Sequence, residues 1–594
     1  MKKKINRAVT FLLVFVMVVS MVPVQRTAAE AVEVGRWYFA EVEPGTPDEL
    51  DTDNEPGYQD ELSETDDIDE TDETDDTNEL CESDMSNEQD VPDDSNEDDS
   101  NEDVANDEDD VPDYGDGDKC DYEDENEDDY DLDDTYEDDP DDIMDVAGAN
   151  VLVLPVGYAT YFYGLGTPAS PFIISNEEQF MYVAQVMALN GDIQNVHALS
   201  ASYVLVADLD LRDESDFLGL GSTSQPFSGT FDGNNHIVQL GISTTTISSV
   251  GLFRVASGAI IRNIIVDGSV YGTTDVAGIA GRIINNTTLD NVKNRAVIEG
   301  SGMGVAGIAG SVTNSVISGA TNFGFITGGA SRVAGIAAHV TGISQIENST
   351  NYGDITSVGI QAGGIAGFAS GANVVIYDNT VQTSATIRGP QNIGGLVGQL
   401  SFGTIESGRF YGSVITNGAG LNAGGIAGLV NQGTVLNSEV AGDVIGNDRA
   451  GGVTGRTQGA ATISYNTVRK NVTIQGSQFV GGIVGYGCRV NIVVSNNRML
   501  GDVIGGIQAG GIIGHVCGDS QVVDNVVYGT VNGDSWIGGI AGVVRGTSIL
   551  MSNVMYGSVT GLVQTGGVAG FVDYNNRCRL QKLIFFTFST KLHR

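Results

Sequence analysis

The sequence predicts an all-β fold: a parallel β-helix, or β-solenoid, of about 12 coils, with a small helix-containing N-terminal cap and a long disordered acidic segment. Three observations carry the prediction. A G-x-x-G tetrad, typically Gly-Gly-Ile-Ala-Gly, recurs at 27 to 31 residues through the last two-thirds of the chain. Three short strand-like pieces repeat with it. Nearly all the net charge lies in one stretch ahead of it. A period in this range belongs to stacked arrays, whose units bury their apolar faces only against neighbours.

The chain opens with Lys2, Lys3, Lys4 and Arg7, an apolar run from Phe11 to Val22, and small residues Ala28, Ala29 and Ala31. This is the layout of a secretory signal peptide, assigned to 1–31. The apolar run is about a dozen residues, short of the roughly 20 needed to span a bilayer. No membrane span is expected in the mature chain, and its address is extracellular, secreted or on the cell surface.

Residues 32–145 follow as an acidic tether. Between Glu41 and Asp145 stand 53 acidic residues and one basic residue, Lys119, while the rest of the chain holds 27 of each sign. The formal net charge of -52 is therefore that of this stretch alone. With almost no aliphatic residues it cannot offset its conformational entropy, and self-repulsion extends it. Weak calcium binding by its carboxylates is the one cofactor reading it offers. No ordered calcium loop is present at the required spacing, and no other cofactor is expected. The negative field excludes nucleic acid as a partner.

Residues 146–245 read as an N-terminal capping module. Ser175-Asn176-Glu177-Glu178 has the form of a capping box. Phe180, Ala184, Met187 and Ala188 recur behind it at helical spacing, which predicts a helix over about 177–190. Tyr203 to Leu211 reads as a strand, and Phe227 to Val238 as two strands around a Gly-Asn turn. Asp208, Asp210, Asp232 and His236 resemble a carboxylate cluster. Alternation with apolar residues and turn chemistry account for them better. A helix just before the first coil would cover an open sheet edge.

Residues 246–570 hold the repeats. The first tetrad glycines are Gly251, Gly278, Gly307, Gly335, Gly364, Gly395, Gly425, Gly452, Gly482, Gly511, Gly539 and Gly567. Copies at Gly251 and Gly335 lack the closing glycine. The tetrad itself, as in Gly364-Ile365-Ala366-Gly367, reads as the first strand piece. An apolar run ending near an asparagine is the second; the asparagines are Asn263, Asn291, Asn348, Asn437, Asn466, Asn496, Asn525 and Asn553. A Gly-x-Val piece, such as Gly501-Asp502-Val503, is the third. Stacking would align like residues in ladders, with glycines permitting positive φ or close backbone approach. The crossover rule predicts a right-handed coil.

Glycine-rich loops also cradle phosphate, but about twelve copies without a following helix exclude a nucleotide loop. Five cysteines in 594 residues exclude a disulfide framework. Cys488 and Cys517 each lie six residues after their tetrad glycine, so a stack would set them one coil apart. A disulfide and a pair of stacked free thiols are both open readings. No Cys-x-x-Cys or paired histidine accompanies them, so no metal site is expected.

These repeats, with the segment Phe227 to Ile237, resemble the GLUG-motif repeats of bacterial secreted and cell-surface proteins, and 166–211 resembles the leader that precedes them. The resemblance covers about 166–570. It implies a structural or adhesive protein that binds an extracellular protein or glycan, and it transfers no catalytic residue. Such repeats also occur in non-catalytic N-terminal regions of immunoglobulin-A-cleaving metalloproteases, so a truncated larger surface enzyme is the alternative. A polysaccharide-active β-helix enzyme is a further one. It would need convergent carboxylates, and the array's acids are scattered singly. No catalytic residue is assigned and the chain is read as a non-enzyme. Residues 571–594 form an atypical basic and aromatic tail, either a capping strand or an out-of-frame end.

Overall fold

The computed structural model describes residues 161–488, 491–573, 578–581 and 584–585, the side chains of Ala419, Ile584 and Phe585 excepted. The expected signal peptide and acidic tether, with Cys81 and Cys120, lie outside the described residues.

One repeat shows how the chain travels. Ile360–Gly363 ends at a bend over Gly364 and Ile365, and Ala366–Ser370 leaves it as a new strand. Val375–Tyr377 forms the next side, and Thr380–Val381 and Thr386–Gly394 complete the coil. Each piece pairs in parallel with its equivalents one repeat away. Ala366–Ser370 belongs to a 12-stranded sheet, Val375–Tyr377 to a 15-stranded sheet, and the remaining pieces to a third sheet. The fold is the parallel β-solenoid that the period predicts.

The first two residues of the tetrad thus form a corner, and its last two open the next strand, so the expected strand piece begins only in the second half of the tetrad. None of its twelve first glycines has positive φ. Glycine is needed because backbones meet there: a Cβ on Gly367 would lie 2.8 Å from the Ala338 carbonyl oxygen and the Val333 nitrogen. The isoleucine, leucine or valine after the first glycine fills the inside of the corner. Ile365, Leu396, Ile426, Val453, Ile483 and Ile512 are all fully buried. The 15-stranded sheet adds a second column, Ile376, Ile405, Val435, Ile463, Val494, Val522 and Leu550, in register and 0% exposed. Branched side chains suit this pleated stack.

The asparagines resolve into two adjacent columns rather than one. Asn263, Asn291, Asn348, Asn437 and Asn496 each follow a strand of the 15-stranded sheet with φ between 50° and 57°. This left-handed bend is one that asparagine tolerates. Asn466, Asn525 and Asn553 stand one position further on, beside Asn497, and are buried. Their side chains are hydrogen-bonded from coil to coil.

At the N-terminal end the ladder crosses the boundary expected at 246. Phe172–Ile174, Ser202–Leu205 and Thr230–Asp232 are already rungs of the 15-stranded sheet. This raises the count above the twelve tetrads. Helix α1 (Glu177–Ala188) lies between the first two of these rungs in the chain, not before the first coil. Its N-cap is Asn176, whose side chain accepts from the Gln179 N–H, one residue on from the expected Ser175. The helix ends at the Leu189 cap, and Asn190 turns left-handed. Phe180, Val183 and Met187 bury their side chains, and Phe180 meets Phe217 and Phe231 edge-on. The helix therefore covers the core at its first coils. The strand expected from Tyr203 to Leu211 is two, Ser202–Leu205 and Leu209–Leu211, on different sheets.

At the other end the ladder passes 570. Ala569–Val572 pairs with Ala541–Val544, Arg579–Gln581 with Ile549–Met551, and Ile584–Phe585 with Val554–Met555. The described part of the tail is a further rung.

Candidate functional site

The acids that resemble a catalytic cluster are each held by a separate partner. Asp208 accepts from the Ile237 N–H at 2.9 Å and lies 3.0 Å from His236 Nδ1. Asp210 takes the Arg212 guanidinium at 2.6 Å, and Asp232 that of Arg262 at 2.9 Å. These contacts lower all three carboxyls: the Ile237 backbone hydrogen bond for Asp208, Arg212 for Asp210, and Asn263, Asn234 and Arg262 against burial for Asp232. Asp354, Asp443 and Asp502 each accept the backbone N–H of a threonine one coil on, Thr386, Thr473 and Thr530. They tie coils together rather than converge.

A different seam gathers the chemistry. The residue four positions after each tetrad glycine points away from the core of the 12-stranded sheet. In register these include Arg282, Ser311, His339, Phe368, Gln399, Arg456, Tyr486 and His515. Facing them are residues three before the tetrad, many with left-handed φ: Asp275, Arg332, Gln361, Asn392, Asn422 and Gln508. The corner brings the two columns together. Arg332 lies 3.3 Å from His339 Nδ1 and over the Phe368 ring, which stacks on the His339 ring. Gln361 and Asn392 both donate to Gln399 Oε1.

Burial dominates the charges in this seam. It raises Asp275 to about 6 in spite of the Arg282 and Arg332 guanidiniums. It lowers His339 to about 3, aided by Arg332 and Arg282, and His515 to about 3, aided by Arg545. Both imidazoles are neutral at pH 7. Asp275 and His339 are too buried to meet a polymeric substrate.

Cys488 and Cys517 lie at the C-terminal part of the seam. They are joined in a disulfide with Cα atoms 4.8 Å apart. His515 stands beside them, and the two sulfurs and an imidazole nitrogen all lie within 4.8 Å of one another. Nδ1 of His515 lies 2.5 Å from Gln508 Oε1. This third donor was missed in the sequence because it comes from folding the repeat. The signal available was phase: His515 and Cys517 are two apart on one extended segment, and Cys488 holds the equivalent position one repeat earlier.

Another column faces outward on the third sheet. Phe323, Tyr352, Tyr411, Tyr528 and Tyr556 occupy one register position, each donating its backbone N–H to the preceding coil. Phe323 stacks on Tyr352, and Tyr528 on Tyr556, both with ring centroids 4.9 Å apart. All four are more than a third exposed. Stacked between neighbouring coils, the paired rings keep part of their surface exposed. Arg498 lies over Tyr528 at 5.9 Å, and Arg469 pairs with Glu439 at 2.7 Å in the same strip.

No protein-family model matches the chain. Halomucin of Haloquadratum walsbyi is 28% identical over 164 residues, which is 26% of this chain and 2% of halomucin. The chain thus spans a small fraction of that relative's length. A crystal structure of a candidate immunoglobulin A1 protease from Bacteroides ovatus aligns over 71% of this chain and 86% of its own, at 14% identity and a TM-score of 0.21. No helix among the described residues is long and apolar enough to cross a membrane. The solenoid and the halomucin likeness are compatible with a surface protein.

Proposed function

We propose that this chain is a secreted or cell-surface structural and adhesion protein, that its repeats are of the GLUG type, and that it presents them to an extracellular protein or glycan. The observation that supports this best is the outward column through Phe323, Tyr352, Tyr411, Tyr528 and Tyr556. Exposed aromatics beside arginines are the composition of contact surfaces. Here the ladder holds them in place before any partner arrives, so little side-chain entropy remains to be lost on binding. The two stacked pairs offer exposed ring surface at coil spacing, which suits a repetitive ligand. In this reading the chain binds and does not catalyse.

The test is an array of matrix proteins and bacterial and host glycans probed with the full chain and with the double variant Tyr528→Ser, Tyr556→Ser. Binding that falls at least tenfold in the variant, with an unchanged circular dichroism spectrum, supports the reading. Binding unchanged in the variant, or turnover of a polysaccharide by the full chain, overturns it. Protease treatment of intact producing cells tests the address separately: a chain cleaved only after lysis is not on the surface.

A further inference from the structure

We propose that the Cys488–Cys517 disulfide closes a metal site, and that its reduction opens a Cys2His centre for a soft divalent ion such as zinc, with Cys488, Cys517 and His515 as ligands. The three donor atoms already lie within 4.8 Å of one another. Zinc bonds to sulfur at about 2.3 Å and to imidazole at about 2.0 Å, so a tetrahedral ion needs donors roughly 3.5 Å apart. Side-chain rotation alone supplies that from the present positions, because the ladder fixes the Cα atoms 4.8 Å apart.

Three further features fit an ion better than a bare cross-link. The donor set is two thiolates and an imidazole, which selects zinc and other soft ions over calcium or magnesium. Gln508 Oε1 sits 2.5 Å from His515 Nδ1, and the tautomer that donates this N–H to the amide oxygen is the one whose free lone pair is on Nε2. A fixed partner of this kind on the far nitrogen is the usual support of a metal-bound histidine. Cys488 and His515 are buried and Cys517 is half-buried, so the fourth position opens toward solvent on the Cys517 side. Three protein ligands and one open position is the layout of a zinc site that can exchange its fourth ligand.

The switch balances with a thiol as reductant. Two thiols of a small-molecule dithiol become its disulfide, the Cys488–Cys517 sulfur–sulfur bond takes the two electrons, and two protons pass to the freed sulfurs. The ion then displaces both protons. In the laboratory a water-soluble phosphine serves, becoming the phosphine oxide with an oxygen from water, and it does not compete for the metal as a dithiol would.

The experiment uses the full chain carrying Cys81→Ser, Cys120→Ser and Cys578→Ser, so that only the two cysteines of the site remain. Cobalt(II) is titrated before and after phosphine reduction. The expected result is one cobalt per chain in the reduced form, seen as the thiolate-to-cobalt charge-transfer band and bleached by zinc, and no band in the oxidised form. Carboxylates of the acidic segment bind cobalt without that band, so they do not confuse the readout. His515→Ala should weaken the site at least tenfold, Gln508→Ala about tenfold, and Cys488→Ser should abolish the band. The reduced protein's circular dichroism spectrum checks that the solenoid stays folded. A reduced, folded chain without the band overturns the proposal, as does a band of unchanged affinity in His515→Ala.

Discussion

Asn497 donates to Oδ1 of Asn525 twice, from its backbone N–H at 2.9 Å and from Nδ2 at 3.0 Å. Asn525 repeats the pattern toward Asn553, and Asn466 makes it toward Asn497. Each amide thus satisfies two donors on the coil before it and passes its own on, deep in the core. Because the column is continuous, the loss of one member strands groups on two coils.

Asn525→Ala removes the acceptor for Asn497 and the donor to the Val494 carbonyl oxygen. Each buried polar group left without a partner costs about 1–3 kcal/mol. The variant is expected to lose about 2–4 kcal/mol in denaturant unfolding. Asn437→Gly, at the exposed bend column, keeps the left-handed φ of 50° and should lose less than about 1 kcal/mol. Equal losses would mean the ladder carries no special share of the stability.

At the closing glycine of the tetrad the limit is space. A Cβ at Gly367 meets the Ala338 carbonyl oxygen, the Val333 nitrogen and, at 2.9 Å, the Arg332 carbonyl carbon. Backbone cannot swing aside as a side-chain tip can. Gly367→Val should destabilise at or beyond the upper end of the roughly 1–3 kcal/mol of overpacked cores. Ala338 holds the same place in its own repeat and is buried with Ala306 and Ala334, so Gly367→Ala should be milder. Gly418, with φ +57° and open space around it, serves as the contrast: Gly418→Asn should leave the unfolding midpoint unchanged. Urea titration of the four proteins gives the order directly.

His339 gives the fold a sensitivity to acid. Its imidazole is held near 3 in the folded chain by burial and by the Arg332 and Arg282 charges, against about 6.5 when unfolded. The folded value is the lower one, so the unfolded chain binds the proton first. The stabilising contribution is complete above about pH 6.5 and is lost as the pH falls toward 3. His515 acts in the same sense. Asp275 acts in the opposite one: its folded value near 6 is raised by burial, so its contribution is complete below about 4 and lost as the pH rises through 6. His339→Gln cannot titrate, and Gln399 shows that the column accepts an amide. Between pH 6 and 4 the variant's stability should fall less steeply than the wild type's, by up to about 1.4 kcal/mol per pH unit. Parallel curves from pH-dependent urea titrations would remove His339 from the account.

The sequence made the stacking legible because the period repeats often enough to outweigh any single spacing. It placed Cys488 and Cys517 one coil apart for the same reason. It did not reveal that Gly364 and Ile365 form a corner, since recurrence tells where a glycine is needed and not which way the chain turns. The asparagine columns merged because the spacing between tetrads drifts by up to four residues. A shift of one position then separates an exposed bend such as Asn437 from a buried ladder member such as Asn466. His515 was invisible as a third donor for a related reason: it meets Cys488 only through the register of Tyr486 against His515.

The link between Cys488 and Cys517 closes a loop of 29 residues. The chain-entropy relation assigns such a loop about 3–4 kcal/mol of stabilisation. In a stacked array, stability is a sum over repeats and their nearest neighbours, so the loss on reduction should stay local. Val484–Gly487 and Ile513–Val516, the two rungs the link joins, should exchange their amide hydrogens faster once the cysteines are reduced. Ala366–Ser370 and Val397–Ser401, three or more coils away, should keep their protection. Hydrogen exchange read by mass spectrometry separates this from a global effect. Uniform deprotection would show that the whole array opens as one unit, while unchanged exchange at the joined rungs would show that neighbouring hydrogen bonds already hold them without the link.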